Sequence, residues 1–134
     1  MDWQAVGGTW GSATSRLMDW YRTESGFYPA YFAKLLNGIE QAGEKSGQLL
    51  SRYVARYFED MWQHLRNVQS IMSAGASVHY VVGNASFYGV LVPVERLYAD
   101  MLKELAFKDV EVRVLRKRNS KKELIEFDVC ARKV

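Results

Sequence analysis

The chain has little cysteine, no long apolar run and no leader-like start, and each shortage excludes a class of protein. Its one cysteine, Cys130, cannot form an internal disulfide, which excludes a disulfide-rich secreted domain. No apolar run approaches the roughly eighteen residues that cross a bilayer. The first four residues show neither the basic region nor the apolar stretch of a signal peptide. We therefore expect a cytoplasmic protein with no membrane partner.

Histidine and proline are also scarce, and this removes several kinds of chemical site. His64 and His79 have no partners at the spacing of metal ligands, so no metal site is expected. The same scarcity leaves no serine or cysteine triad that can be argued. Pro29 and Pro93 are the only prolines, so the sequence contains no Pro-Pro pair. Cys130 alternates onto one face of a predicted strand and is expected to be a small buried residue.

What the chain does contain is typical of a globular domain. Of its 134 residues, 49% are hydrophobic and 25% are charged, proportions that are ordinary for a folded protein. There is no internal repeat, low-complexity tract or linker. We expect one domain over residues 1–134, with a loop-rich lead-in at 1–27 and a core at 28–134.

The net charge of +3 is concentrated near the end of the chain. Residues 108–134 carry nine lysines or arginines and five acids, a net charge of +4, whereas the remaining residues carry nine and ten, a net charge of −1. A local basic cluster of this kind is typical of phosphate contact, although a basic turn is more often simply solvated.

Hydrophobic spacing predicts three helices. One follows Pro29 and ends near Gly43, and a second is predicted over residues 47–73 because apolar residues recur every three or four positions for six turns. A third begins at Pro93, where Glu95 favours the helix N-terminus. We expect the aromatic residues of the second helix to form core.

Three strands complete the predicted fold. Residues 77–83 form an apolar strand, residues 110–114 alternate between apolar and charged, and residues 125–130 return as a hairpin after the basic turn at 116–122. Because a helix links the first two strands, we expect them to be a parallel pair. The prediction is an α/β protein with a small mixed sheet: this parallel pair plus a C-terminal antiparallel strand, packed by helices.

The sequence contains, in order, the long helix, Ile71–Ala76, Tyr80–Asn84, Glu104–Phe107 and the final hairpin. Together these segments resemble the second half of the class I S-adenosylmethionine-dependent methyltransferase fold, which is Rossmann-like. The resemblance covers roughly residues 28–133, and Met72, Gly75 and Ala106 depart from the turn motifs usual in that family. Val82-Gly83-Asn84, followed by Gly89-Val90 and Pro93, is similar to the DNA amino-methyltransferase branch, which methylates adenine N6 or cytosine N4.

The resemblance implies S-adenosylmethionine as the cofactor of the parent enzyme and DNA as its partner. The family's glycine-rich loop after a first strand and its catalytic Pro-Pro-Tyr motif are both missing here, since Gly7–Gly11 follows no apolar strand. We therefore expect a C-terminal, substrate-side portion of such an enzyme. It would have no catalytic residue of its own, bind no cofactor alone and be inactive alone.

The resemblance also places candidate site residues, because ligands of α/β sheets bind beyond the carboxyl ends of the strands. Asn84, Phe87 and Tyr88 would lie near a flipped target base, and the Gly7–Arg16 loop would enter from the same edge as a further part of the rim. The basic turn would hold phosphates through Arg116, Lys117, Arg118, Lys121 and Lys122.

Two other functions stay open on the sequence alone. The chain is either a stand-alone nucleic-acid-binding module that uses the basic hairpin, or a structural module that completes the sheet of another chain. The predicted strand at 77–83 has few neighbours, and an open strand edge favours pairing with a second copy or with the missing half.

Overall fold

The computed structural model describes residues 23, 26–117 and 125–134 of the chain. These residues belong to two compact units. The helical unit contains the described residues up to His64 together with Phe87–Val90, and the sheet unit contains Leu65–Ser86 and Leu91–Val134. The expectation of one domain over the whole chain stays a prediction, and the loop-rich lead-in at 1–27 lies almost entirely outside the described residues.

The helices were predicted well. Helix α1 runs over Ala30–Ala42 and helix α2 over Glu44–Ile71, separated by Gly43. In the helical unit, Phe32 from α1 meets Phe58 from α2 edge to face, with ring centroids 5.2 Å apart. Ser51 is buried and its hydroxyl donates to the Leu36 carbonyl at 3.0 Å. Tyr53, Tyr57 and Phe58 of α2 are buried, as the spacing predicted, whereas Trp62 is only partly buried.

A short hairpin that the sequence analysis did not predict follows the first strand. Strand β1 is Ser77–Gly83, and strands β2 (Ala85–Phe87) and β3 (Val90–Val92) pair with each other. Their two-residue turn has a positive φ at Tyr88 (51°) and at Gly89 (78°), the signs required by a type I′ turn. Tyrosine rarely adopts a positive φ. Turns of this type usually contain Asn-Gly, and because this chain has Tyr-Gly instead, the usual sequence signal of the turn is absent.

The sheet unit packs helix α3 (Val94–Glu104) against three strands: β1, β4 (Lys108–Lys117) and β5 (Ile125–Arg132). Tyr80 of β1 lies beside Tyr98 of α3, with ring centroids 5.5 Å apart, and burial raises the pKa of the Tyr80 phenol. Val129 in β5 is fully buried. The strand order is β1-β5-β4, and both pairings are antiparallel.

The predicted parallel pair and mixed sheet are therefore wrong. Strands β1 and β4 do run in the same direction, as a helical crossover requires, but β5 lies between them and runs opposite to both. Strand β5 carries the buried Val129, Cys130 and Ala131, and a strand with two neighbours buries more than one at an edge. The described sheet is antiparallel throughout, so the Rossmann-like part of the prediction has no support in it.

Within the sheet unit, Lys133 near the end of the chain links the C-terminal end of α2 to the sheet through hydrogen bonds. The Lys133 ammonium donates to the carbonyls of Gln69 and Met72, the latter at 2.7 Å, and so satisfies carbonyls at the helix C-terminus. The backbone of Lys133 also exchanges hydrogen bonds of 2.8 Å with Gly75 and Ala76. None of the helices in the described part of the chain has both the length and the apolar character of a membrane span.

Candidate functional site

The register of the sheet sorts the polar residues of the sheet unit onto one face. Tyr80 pairs with Val129 on the face that α3 covers. The residues that alternate with Tyr80 along β1 and with Val129 along β5 therefore project to the other face. We call this opposite side the outer face. Its successive cross-strand rows are Ser77 with Arg132; His79, Cys130 and Glu111; Val81, Asp128 and Arg113; and Gly83, Glu126 and Arg116.

The arginines of the outer face are each paired with a carboxylate. Arg113 lies 2.6 Å from Glu111, and this hydrogen bond raises the pKa of the guanidinium further. Arg132 lies 2.6 Å from Asp109. Because the acids offset the arginines, the described part of the outer face is not a basic patch. The excess positive charge belongs to residues 117–122, which follow Arg116 in the sequence.

Of the five predicted phosphate contacts, Arg116 is the one whose side chain the structure describes. Its side chain is 75% exposed, and its Nε lies 3.2 Å from a Glu126 carboxylate oxygen. The backbone of Lys117 pairs with Ile125 at the end of β4. The other three predicted residues lie outside the described residues: Arg118, Lys121 and Lys122. The predicted Gly7–Arg16 rim lies outside them too.

Exposed ion pairs such as that of Arg116 are weak, contributing at most about 1 kcal/mol. A phosphate can therefore replace Glu126 as the partner of Arg116 without a large loss of stability.

Asn84 is held by the strand that begins beside it. The amide oxygen accepts a hydrogen bond from the Ile125 N–H at 2.9 Å, and the Asn84 N–H donates to the Ile125 carbonyl at 3.3 Å. The residue is 5% exposed. Asn84 thus extends the β1–β5 ladder by one position, and its oxygen is already used within the sheet unit.

Phe87 and Tyr88 belong to the helical unit, whereas Asn84 belongs to the sheet unit. The structure therefore does not describe the predicted base-binding trio as one site. Tyr88 is half exposed and its ring lies against Gly43, where a Cβ atom would come within 2.4 Å of the ring. Packing on Gly43 holds the tyrosine in its unusual backbone conformation.

The carboxyl ends of β1 and β4 lie at the same end of the sheet. Gly83 pairs with Glu126, and Lys117 pairs with Ile125, on opposite sides of β5. Two strand spacings, about 10 Å, therefore separate the ends of β1 and β4. Asn84 and the start of the basic turn share this end of the sheet.

The outer face also carries a cluster that the sequence pattern did not predict: His79, Asp128 and Cys130. Alternation along β1 and β5 correctly assigns each residue to a strand face. What brings them together is the β1–β5 pairing, which the predicted parallel pair excluded. Beside the cluster is an open cleft of about 250 Å³.

Nothing in the described residues fits S-adenosylmethionine. No buried side-chain nitrogen or oxygen among them lacks a hydrogen-bond partner. The glycines that would clash with an added Cβ do so with the protein itself: Gly47, for example, lies against the Glu40 carbonyl, and Gly43 against Tyr88. A glycine-rich cradle for a cofactor is thus not found there, and we derive no cofactor chemistry from this chain.

Comparisons with known proteins leave the resemblance as a prediction. No family model, curated protein or solved structure matches the chain.

Proposed function

We propose that the chain is the nucleic-acid-contacting, substrate-side portion of a DNA amino-methyltransferase, with the β4–β5 hairpin as its main contact. The observation that carries the proposal is the position of the basic run: Arg116 and Lys117 end β4 opposite Glu126 and Ile125, at the sheet end where Asn84 also lies, and the run continues in the sequence to Lys122. The run holds five cations within seven residues. Lysine and arginine in such a turn contact phosphates without reading sequence.

The element order supports the methyltransferase part of the proposal. A long helix, a strand, a helix and a final hairpin follow one another as in the resemblance, with the short β2–β3 hairpin inserted between β1 and α3. The proposal gives this chain binding rather than methyl transfer, because the sequence lacks the family's glycine-rich loop and Pro-Pro-Tyr motif. A stand-alone nucleic-acid-binding module uses the same hairpin, so methylation in the presence of an enzyme half that carries the missing motifs separates the two functions.

The test is DNA binding by the full chain over a range of salt concentrations. A fluorescently labelled DNA duplex of mixed sequence is titrated with wild type and with a quintuple alanine variant at 116, 117, 118, 121 and 122. Each phosphate contact contributes about −0.9 to the slope of log K against log salt. We expect the variant to bind at least about tenfold more weakly and to lose roughly 3–4 units of that slope.

A charge-matched control separates the hairpin from general charge. Alanine at five exposed cations outside the hairpin lowers the net charge equally, from +3 to −2. We expect this control to keep the wild-type slope. Equal losses in both variants would contradict the proposal. The control positions are Lys34, Lys45, Arg66, Arg96 and Lys103.

Calorimetric titration of S-adenosylmethionine tests the argument from the missing motifs, and methylation after addition of a second enzyme half separates the two functions. We expect no heat from the chain alone. If DNA binding is present, cofactor-dependent methylation on adding an enzyme half with the missing motifs would support the methyltransferase portion. DNA binding without any such activity would support the stand-alone module. Saturable cofactor binding by the chain alone would overturn the argument from the missing motifs.

A further inference from the structure

We infer that His79, Asp128 and Cys130 form a zinc-binding site on the outer face of the sheet, with a coordination position left open to solvent. This inference does not depend on the proposed nucleic-acid function. It starts from the β1–β5 register, in which His79 lies directly opposite Cys130. Asp128 precedes Cys130 by two residues, and residues two apart on a strand share a face.

The distances bring the three side chains within reach of one ion. The His79 Nδ1 atom lies 3.3 Å from each Asp128 carboxylate oxygen. One ligand atom from each of the three residues lies within 4.8 Å of the other two. In a tetrahedral zinc site with bonds of about 2.0–2.3 Å, ligand atoms are roughly 3.3–3.8 Å apart. The longest separation must therefore shorten by about 1 Å.

The surroundings allow this adjustment. The His79 side chain is 58% exposed and can rotate at the sheet edge, whereas Asp128 has a more covered side chain at 18%. Cys130 is buried in the central strand at 8% exposure. Asp128 and Cys130 are thus held in place on β5, whereas the His79 side chain can rotate toward the ion. A site with one adjustable ligand binds without distorting the strands.

The donor set favours zinc over the hard cations. Imidazole nitrogen, thiolate sulfur and carboxylate oxygen are the three ligand types of protein zinc sites, whereas calcium and magnesium take oxygen ligands. Three protein ligands with a fourth position for water are typical of zinc sites that do chemistry. His79 and Cys130 both line the 250 Å³ cleft, through which water reaches this position.

The alternative is a surface ion pair between His79 and Asp128, with Cys130 as an inert core residue. That arrangement gives no selectivity for zinc and requires no thiolate. A spectroscopic signal from sulfur bound to the metal therefore distinguishes the two readings, since only a metal site places the Cys130 sulfur on the ion.

Cobalt titration of the full chain, without a histidine tag and after removal of metals by a chelator, tests the site. We expect one Co²⁺ per chain, a tetrahedral visible spectrum and a near-ultraviolet thiolate-to-cobalt band. Addition of Zn²⁺ should abolish these signals and raise the unfolding temperature, because a ligand bound to the folded state stabilises it. Absence of the thiolate band in wild type would overturn the inference.

Variants assign the ligands. Cys130→Ser should lose the thiolate band, and His79→Ala should weaken Co²⁺ binding by roughly tenfold or more, given that even partners of metal ligands change affinity by that much. His64→Ala is the matched control and should bind as wild type. Because His79 is exposed, its variant is informative even if Cys130→Ser does not fold. Unchanged binding by His79→Ala would refute the site.

Discussion

Asn84 shows how a residue predicted for a ligand can be needed by the fold. The resemblance places it beside a target base, yet its amide oxygen accepts the Ile125 N–H at 2.9 Å and only 5% of the residue is exposed. Loss of this acceptor leaves the Ile125 N–H unpaired in a part-buried site. Its first role is therefore to join β1 to β5.

We expect Asn84→Ala to lower the free energy of unfolding by about 1–2 kcal/mol, because the Ile125 N–H loses its side-chain acceptor. Urea unfolding measures the change as a lower midpoint at an unchanged slope. Ser86→Ala, at an exposed position two residues later, is the control and should leave the midpoint in place. An unaltered midpoint in the Asn84 variant would show that the hydrogen bond contributes nothing to stability.

At the scale of elements, the close approach of α1 to the start of α2 depends on glycine at one position. A Cβ atom on Gly47 would lie 2.4 Å from the Glu40 carbonyl oxygen and 2.7 Å from that of Ile39. Backbone atoms cannot move aside as a flexible side chain can. Gly38 in α1 differs, because its nearest neighbour would be a Val90 methyl at 3.7 Å, an ordinary contact.

Alanine substitution at these two glycines should therefore have opposite effects. Gly38→Ala removes a residue with poor helix propensity and should stabilise the protein by up to about 1 kcal/mol. Gly47→Ala has the same gain in propensity but forces two helices apart, so we expect a net loss of roughly 1–3 kcal/mol. Thermal unfolding of both variants checks the contrast. Equal shifts for both variants would contradict the packing argument.

The three helices and strands β1, β4 and β5 could be predicted from the sequence, whereas the β2–β3 hairpin and the order of the strands in the sheet could not. The spacing of apolar residues located α1, α2 and α3, and alternation located β4 and β5, because burial on one face leaves a local pattern. The order β1-β5-β4 depends on which strand buries most surface against two neighbours. That property is distributed over the whole unit and is not encoded in any one segment.

The candidate sites divide in the same way. The basic turn is visible as a run of lysines and arginines, so its residues could be named from the sequence. The cluster of His79 and Cys130 could not, since 50 residues separate the two in the chain. Only the β1–β5 register places them opposite each other. The Tyr88-Gly89 turn was missed because tyrosine is an unusual first residue for it.

At the scale of the molecule, the sheet unit has open edges. Among the described strands, β1 pairs only with β5, although its sequence is apolar and Val81 on the outer face is 55% exposed. Edge strands of this kind pair with other chains unless charge or proline blocks them. We therefore expect the edge of β1 to be the surface through which a second copy of the chain pairs.

We expect the full chain to associate at tens of micromolar, and Val81→Lys to weaken that association because a charge on the edge strand opposes strand pairing. Light scattering reports the mass of each variant. Ile71→Lys is the control: Ile71 is 83% exposed at the end of α2 and lies outside the sheet. A monomeric wild type at these concentrations would count against the edge as an interface.

The central position of β5 also sets the order in which the sheet unit can form. Strand β1 finds its partner only after residues 84–124 have been made, whereas β4 and β5 meet as a local hairpin. At a synthesis rate of about 5–20 residues per second, β1 waits for several seconds. During that interval β1 has no partner strand in its own chain. Nascent chains on neighbouring ribosomes therefore encounter β1 as an unpaired strand, whereas in the finished protein β1 is paired with β5.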